Sequence, residues 1–103
     1  MGKAENYVEG YLYKRVKAHR GMCMKFISGI TGVPDRIVVL AGRTVFVETK
    51  APGETARRLQ EVRHSEIRAA GGDVRVIDTR EQVDVFVAEM LADPTAHNPR
   101  EDS

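Results

Sequence analysis

Two acidic side chains and a lysine stand in a pattern that could do chemistry. Pro34-Asp35 is followed, after an apolar stretch and a turn, by Glu48-Thr49-Lys50. In an extended strand, side chains two apart share a face, so Glu48 and Lys50 point the same way. Between the motifs, Ala41-Gly42-Arg43-Thr44 suits a two-residue type II′ hairpin with Gly42 at its first central position. If Ala41 then faces Thr44, Asp35 faces Lys50 and Ile37 faces Glu48. Asp35 would share a face with both, diagonal to Glu48 and within reach of it. A bulge or a three-residue loop would break that parity.

Two carboxylates a few ångströms apart repel each other unless a cation sits between them. Hard oxygen ligands suit Mg²⁺ or Mn²⁺, which keep several waters and bind one or two carboxylates plus a substrate phosphate. Such an ion polarises a phosphoryl oxygen and lowers the pKa of a bound water. Lys50 could orient that water or stabilise charge building on the phosphate. The parts match metal-assisted phosphodiester hydrolysis. A Glu-x-Lys triplet by itself is better explained as a surface salt bridge of little energetic value. The preceding Pro-Asp, the matching parity and the apolar run Val45-Phe46-Val47 weaken that simpler explanation without overturning it.

The elements that must hold these residues follow from periodicity. Residues 4–20 predict a helix, with Val8, Leu12 and Val16 in one stripe, Tyr11 widening it and Gly21 as the stop. At about 100° per residue, Glu5 falls between Leu12 and Val16, and Glu9 falls at the stripe's edge. A carboxylate along an apolar stripe needs a cation, a metal or a route to water. Strands are expected at 22–28, 35–41 and 44–50, and Ala51-Pro52-Gly53-Glu54 breaks the pattern. A second helix is expected at 55–70, capped by Thr55 and ended by Gly71-Gly72. A strand at 73–78 follows, then a last helix opened by a Thr79–Gln82 capping box. The order α-β-β-β-α-β-α describes a small α/β domain with a mixed sheet, an antiparallel hairpin and then a crossover. Residues 1–92 are expected to form one domain, and the polar, Pro-containing 93–103 reads as a disordered tail.

Composition narrows the setting. No apolar run approaches the roughly 20 residues of a membrane span, and the first residues lack the apolar core of a secretory signal. One cysteine, Cys23, excludes an internal disulfide, and with three scattered histidines it makes no zinc signature. A cytoplasmic protein is expected. The net charge of +1 does not by itself suggest a nucleic acid. Its distribution says more: Lys14, Arg15, Lys17, His19 and Arg20 cluster, and Arg57, Arg58, Arg63 and Arg68 recur later. Such clusters can grip phosphates or be a solvated helix surface.

Taken together, Gly32-Val33-Pro34-Asp35-Arg36, Val45-Phe46-Val47-Glu48-Thr49-Lys50-Ala51-Pro52-Gly53, Gln60 and Ala69-Ala70-Gly71-Gly72 resemble the VRR-NUC family of the PD-(D/E)XK nuclease superfamily. The resemblance covers about residues 5–88. It implies a restriction-endonuclease-like core in which Asp35, Glu48 and the Thr49 carbonyl hold Mg²⁺ or Mn²⁺ and Lys50 is catalytic. An acidic residue of the first helix would complete the site; Glu5 matches best by angle, with Glu9 as the alternative. Gln60 matches a glutamine beside the site, and Lys25 a basic strand residue that touches DNA. Arg36, Lys14, Arg57 and Arg58 are further candidate DNA contacts. Thr49 stands where an aliphatic residue is more usual, its side chain expected on the face opposite Glu48.

Stand-alone members of that family resemble Holliday-junction resolvases and tend to be homodimers. The expected activity is therefore metal-dependent cleavage of branched DNA by a homodimer, in DNA repair or a phage setting. A nuclease of flaps, ends or nicks is the nearest alternative, and a non-catalytic DNA-binding module or partner-dependent subunit the next. Cys23 is expected to be a small buried residue, and His19, His64 and His97 show no ligand spacing. Tyr7, Tyr11 and Tyr13 read as core or interface residues, with base stacking as the less favoured use.

Overall fold

The computed structural model describes residues 3–92, with side chains from Tyr7 onward. Seven elements follow in the expected order: α1 (Lys3–Ala18), β1 (Met22–Lys25), β2 (Arg36–Leu40), β3 (Arg43–Thr49), α2 (Arg58–Ala69), β4 (Val74–Ile77) and α3 (Arg80–Ala92). The proposed tail at 93–103 lies outside the described residues.

The sheet runs β1-β2-β3-β4. The first two pairs are antiparallel; β3 and β4 are parallel, joined through α2. Strand alternation sorts the side chains. Val38, Leu40, Val45 and Val47 enter a buried core with Val8, Leu12 and Val16 of α1 and Val83, Phe86, Val87 and Met90 of α3. Two helices thus cover one face. The other face carries Phe46, Glu48 and Lys50, and α2 lies over its Glu48 end.

The hairpin turn differs from expectation by one residue. Leu40 pairs with Arg43, so Ala41 and Gly42 are the central pair, and both have positive φ (53° and 81°). That is a type I′ turn, whose twist matches the strands. The register moves by two residues, so every side chain keeps its expected face. Arg36 sits opposite Val47, and one further step sets Asp35 opposite Glu48 rather than diagonal to it.

Other boundaries also shift. β1 ends at Lys25, because its partner β2 begins at Arg36 directly across from it. One more bond, from the Phe26 amide to the Asp35 carbonyl at 2.8 Å, closes the ladder. α2 begins after Arg57, not Thr55. At α1 the left-handed residue is Arg20 (φ 65°), and the Gly21 amide reaches back to the Val16 carbonyl at 2.9 Å. Gly21 is needed for closeness instead: a Cβ there would meet the Val39 carbonyl oxygen at 2.7 Å. The Thr79 cap forms, its hydroxyl accepting from the Gln82 amide at 3.1 Å.

α1 and α3 are fastened by a polar clamp. The Tyr11 hydroxyl donates to Asp84 at 2.6 Å, and Arg15 donates to the same carboxylate at 3.1 Å. Arg80 stacks over the rings of Tyr11 and Tyr7 and donates to the Tyr7 hydroxyl. Two of the three tyrosines therefore serve the helix interface. Among the described residues, no helix is long and apolar enough to cross a membrane.

Candidate active site

The site is built where β2 starts and β3 ends. Pro34 is fully buried and precedes the strand, where its missing N–H costs no ladder bond. It delivers Asp35 to the first position beyond the ladder. At the end of β3, Glu48 is 4% exposed and Lys50, the next residue after the strand, 8%, both on the α2 face. The Lys50 amide extends the ladder to the Ile77 carbonyl at 2.8 Å. Parallel pairing with β4 thus fixes the backbone through the whole Glu48-Thr49-Lys50 triplet.

α2 brings Gln60 to the two charged groups. The Lys50 ammonium donates to Gln60 Oε1 at 2.8 Å. Gln60 Nε2 points to Glu48 Oε2 at 3.4 Å, and Lys50 Nζ lies 3.6 Å from the same oxygen. The Arg57 amide also donates to Gln60 Oε1, at 2.9 Å. Two donors on one oxygen fix which end of the amide faces the carboxylate.

Asp35 is held differently. Burial pushes its carboxyl above the ordinary carboxylate range, and the Glu9 charge adds to this. The Arg36 charge and the Thr49 backbone amide pull the other way. Its Oδ1 is buried with no hydrogen-bond partner. An anionic oxygen left bare in a buried site is costly unless a cation meets it. With Glu48 in the opposing position, the two carboxylates supply hard oxygen ligands that fit a divalent cation. Among the described residues, no group of three or more His, Cys, Asp or Glu side chains gathers as a metal cage. A two-carboxylate site suits Mg²⁺, which keeps waters in its remaining positions.

The other predicted residues divide. Thr49 is fully buried on the core face, as expected, with its hydroxyl lacking a partner. The side chain of Glu5 lies outside the described residues. Glu9 forms an ion pair with Arg36, whose side chain is only 14% exposed. Arg36 is thus a partner of α1 rather than a free cation on the surface. Lys25, Lys14, Arg57 and Arg58 are exposed.

His64 was missed. It lies one turn after Gln60 on α2, is 2% exposed, and its Nε2 has no hydrogen-bond partner. Burial first, then the Arg68 and Lys50 charges, hold its pKa below the usual value, which favours the neutral ring beside the site. The i, i+4 spacing from Gln60 was visible in the sequence; burial was not.

No family model matches the chain. It is 38% identical over 86 residues to "Putative nuclease p44" of Acyrthosiphon pisum secondary endosymbiont phage 1, covering 82% of this chain and 92% of that protein. A solved "VRR_NUC domain" superposes with a TM-score of 0.76 at 29% identity, over 84% of this chain and 96% of that one. The chain belongs to the VRR-NUC nuclease family. Its mixed four-stranded sheet with three helices is the VRR-NUC fold. The candidate site residues Asp35, Glu48 and Lys50 all fall at one end of the β2–β3 hairpin, with Gln60 above them.

Proposed function

We propose that this VRR-NUC protein is a Mg²⁺- or Mn²⁺-dependent endodeoxyribonuclease that cuts branched or structured DNA, Holliday junctions among them. The observation that carries it is the bare, buried Oδ1 of Asp35, set across from buried Glu48 and next to a lysine fixed by Gln60. Asp35, Glu48 and the Thr49 carbonyl would hold the metal. When bound, that ion supplies charge neutralisation at the phosphate and a water of lowered pKa.

The chain's own residues do the rest. Gln60 holds the Lys50 ammonium, so its charge stays directed at the site. Lys50 stabilises negative charge as it builds on the phosphate oxygens. The buried strand end excludes bulk water and lowers the local dielectric, which strengthens that contact. Glu5 is the first-helix carboxylate that would complete the site, since Glu9 is engaged with Arg36. Exposed Lys14, Lys25, Arg57 and Arg58 supply phosphate contacts that are independent of base sequence.

Residues 1–92 would be the nuclease unit, and two copies would act together. Cutting both strands of a junction symmetrically takes two sites related by a twofold axis. Support comes from exposed apolar side chains on the loop after β1 (Ile27, 82%; Ile30, 57%) and on adjoining α2 (Leu59, Val62). Arg63 of α2 donates to the Thr31 carbonyl at 3.0 Å, joining these segments. The setting would be the cytoplasm of a bacterium or a phage-infected cell, in DNA repair or phage DNA processing.

The test is cleavage of a labelled four-way junction beside a linear duplex of the same sequence, in Mg²⁺, Mn²⁺ or EDTA, with Lys50→Ala as control. Symmetric, metal-dependent cuts in the junction alone, absent from Lys50→Ala, are expected. Cutting of flaps or ends with the junction intact would move the substrate class. No cutting of either DNA by folded protein would make the chain a binding module or partner-dependent subunit.

A further inference from the structure

Tyr13 has a different environment from the other two tyrosines. Tyr7 and Tyr11 are engaged by α3, but Tyr13 is 47% exposed and sits about 200° round the helix from Tyr11. Tyr13 lines two surface cavities. One, of about 390 Å³, is lined by Tyr13, Glu9, Gly10, Cys23, Lys25 and Arg36. The other, of about 260 Å³, includes Tyr13, Lys17, Met22 and Met24. Lys17 already lies over the ring, 5.6 Å from its centroid.

Three features suggest what the larger cavity takes. Gly10 lies exposed in the middle of α1, where glycine is among the poorest helix formers. A Cβ there would meet nothing within 4 Å, so the cavity stays open along the helix. The acidic wall at Glu9 is neutralised by its ion pair with Arg36, while Lys25 stands exposed at the rim. The cavity lies on the α1 face of the sheet, opposite Glu48 and Lys50, at the end where β2 begins. Arg36 directly follows Asp35, and the charges of Arg36 and Glu9 both act on the Asp35 carboxyl. A half-exposed aromatic ring with a cation beside it, at the same end of the sheet as Asp35, matches the chemistry of a single nucleotide.

We infer that this cavity holds an unpaired nucleotide of the DNA substrate, with its base stacked on Tyr13 and its phosphate against Lys25. The inference rests on the proposed nuclease function and gives that function a source of substrate selectivity. A base inside a duplex is stacked on its neighbours and cannot enter. A base freed at a branch, nick or single-stranded tail can, and an aromatic ring accepts any base because every base has a π-face.

The test is binding in EDTA, where metal-dependent cutting is off. The probes are a DNA with an unpaired stretch carrying 2-aminopurine and a fully paired duplex of equal length. The chain has no tryptophan, so background emission is low. The proteins are wild type, Tyr13→Ala, Tyr13→Phe and Gly10→Leu, the last filling the cavity with a better helix former. Wild type and Tyr13→Phe should quench the probe on binding. Tyr13→Ala and Gly10→Leu should lose the quench and bind the unpaired DNA about tenfold more weakly, with duplex affinity within about twofold. Intact quenching in both variants, or equal losses on both DNAs, overturns the inference while leaving the nuclease function standing. Wild type that binds neither DNA overturns both. Sizing gives a further arm: a dimer that Tyr13→Ala dissociates would mean that a second copy covers the ring, and would also overturn the inference.

Discussion

Lys50 Nζ and Gln60 Oε1 are 2.8 Å apart, and this contact ties the end of β3 to the first turn of α2. The glutamine amide cannot turn over without losing its bond from the Arg57 amide as well. Gln60 is thus a positioning residue. Gln60→Ala should lower cleavage or metal affinity about 10- to 100-fold, the usual cost of losing a partner that orients a metal-site group. Thermal unfolding should show the variant folded. Cleavage and metal affinity both at wild-type level would leave the contact without a functional role.

Thr49 offers a test in the opposite direction. Its hydroxyl is buried and unpartnered on the core face, while only its backbone carbonyl is proposed to serve the site. Thr49→Val removes the unsatisfied group without changing the shape much. It should stabilise the chain by about 1 kcal/mol in urea unfolding, with cleavage unchanged. A stability loss of that size would mean that the hydroxyl has a bond partner.

The β2–β3 turn can be tested in the same way. Ala41 carries a positive φ of 53°, a conformation that asparagine tolerates and alanine does not favour. Ala41→Asn creates the Asn-Gly pair preferred in type I′ turns and should add roughly 0.5 kcal/mol of stability. If the turn were instead centred on Gly42-Arg43, the change would be neutral.

His64 sets a pH dependence. In the unfolded chain it titrates near its ordinary value of 6.5; in the folded chain its pKa is lower. Below about pH 6.5 the unfolded chain therefore binds a proton that the folded chain refuses, and stability falls as the pH drops. Above that range His64 contributes no pH dependence. Melting temperatures from pH 7.5 to 5 should fall more steeply for wild type than for His64→Gln. Parallel slopes would show that His64 accepts its proton freely when folded.

Much of this was legible in the sequence because strands have a period of two. The turn was misplaced, yet the register moved by two residues, so Asp35, Glu48 and Lys50 still share a face. The apolar stripe of Val8, Leu12 and Val16 marked the buried side of α1 for the same kind of reason. What was hidden depends on contacts between distant segments. Thr55 resembles a helix cap, but Gln60 takes the Arg57 amide and α2 starts there. Phe26–Ser28 reads as strand by composition, yet β2 offers no residue to pair beyond Asp35. Glu9 sits at the edge of a stripe, and only the fold shows that its cation is Arg36. The burial of His64 follows from how α2 lies on the sheet, which no local pattern records.

The central claim is that Asp35 and Glu48 hold a divalent cation at which DNA is cut. The most direct measurement is the cleavage rate of a four-way junction as Mn²⁺ is titrated, for wild type and Asp35→Asn, with junction affinity measured in parallel. The wild-type rate should rise from zero in EDTA and saturate. Asp35→Asn should cut at no metal concentration while binding the junction at least as tightly, since it loses a negative charge facing phosphate. Wild-type cutting in EDTA, or Asp35→Asn cutting at the wild-type rate, would contradict the account.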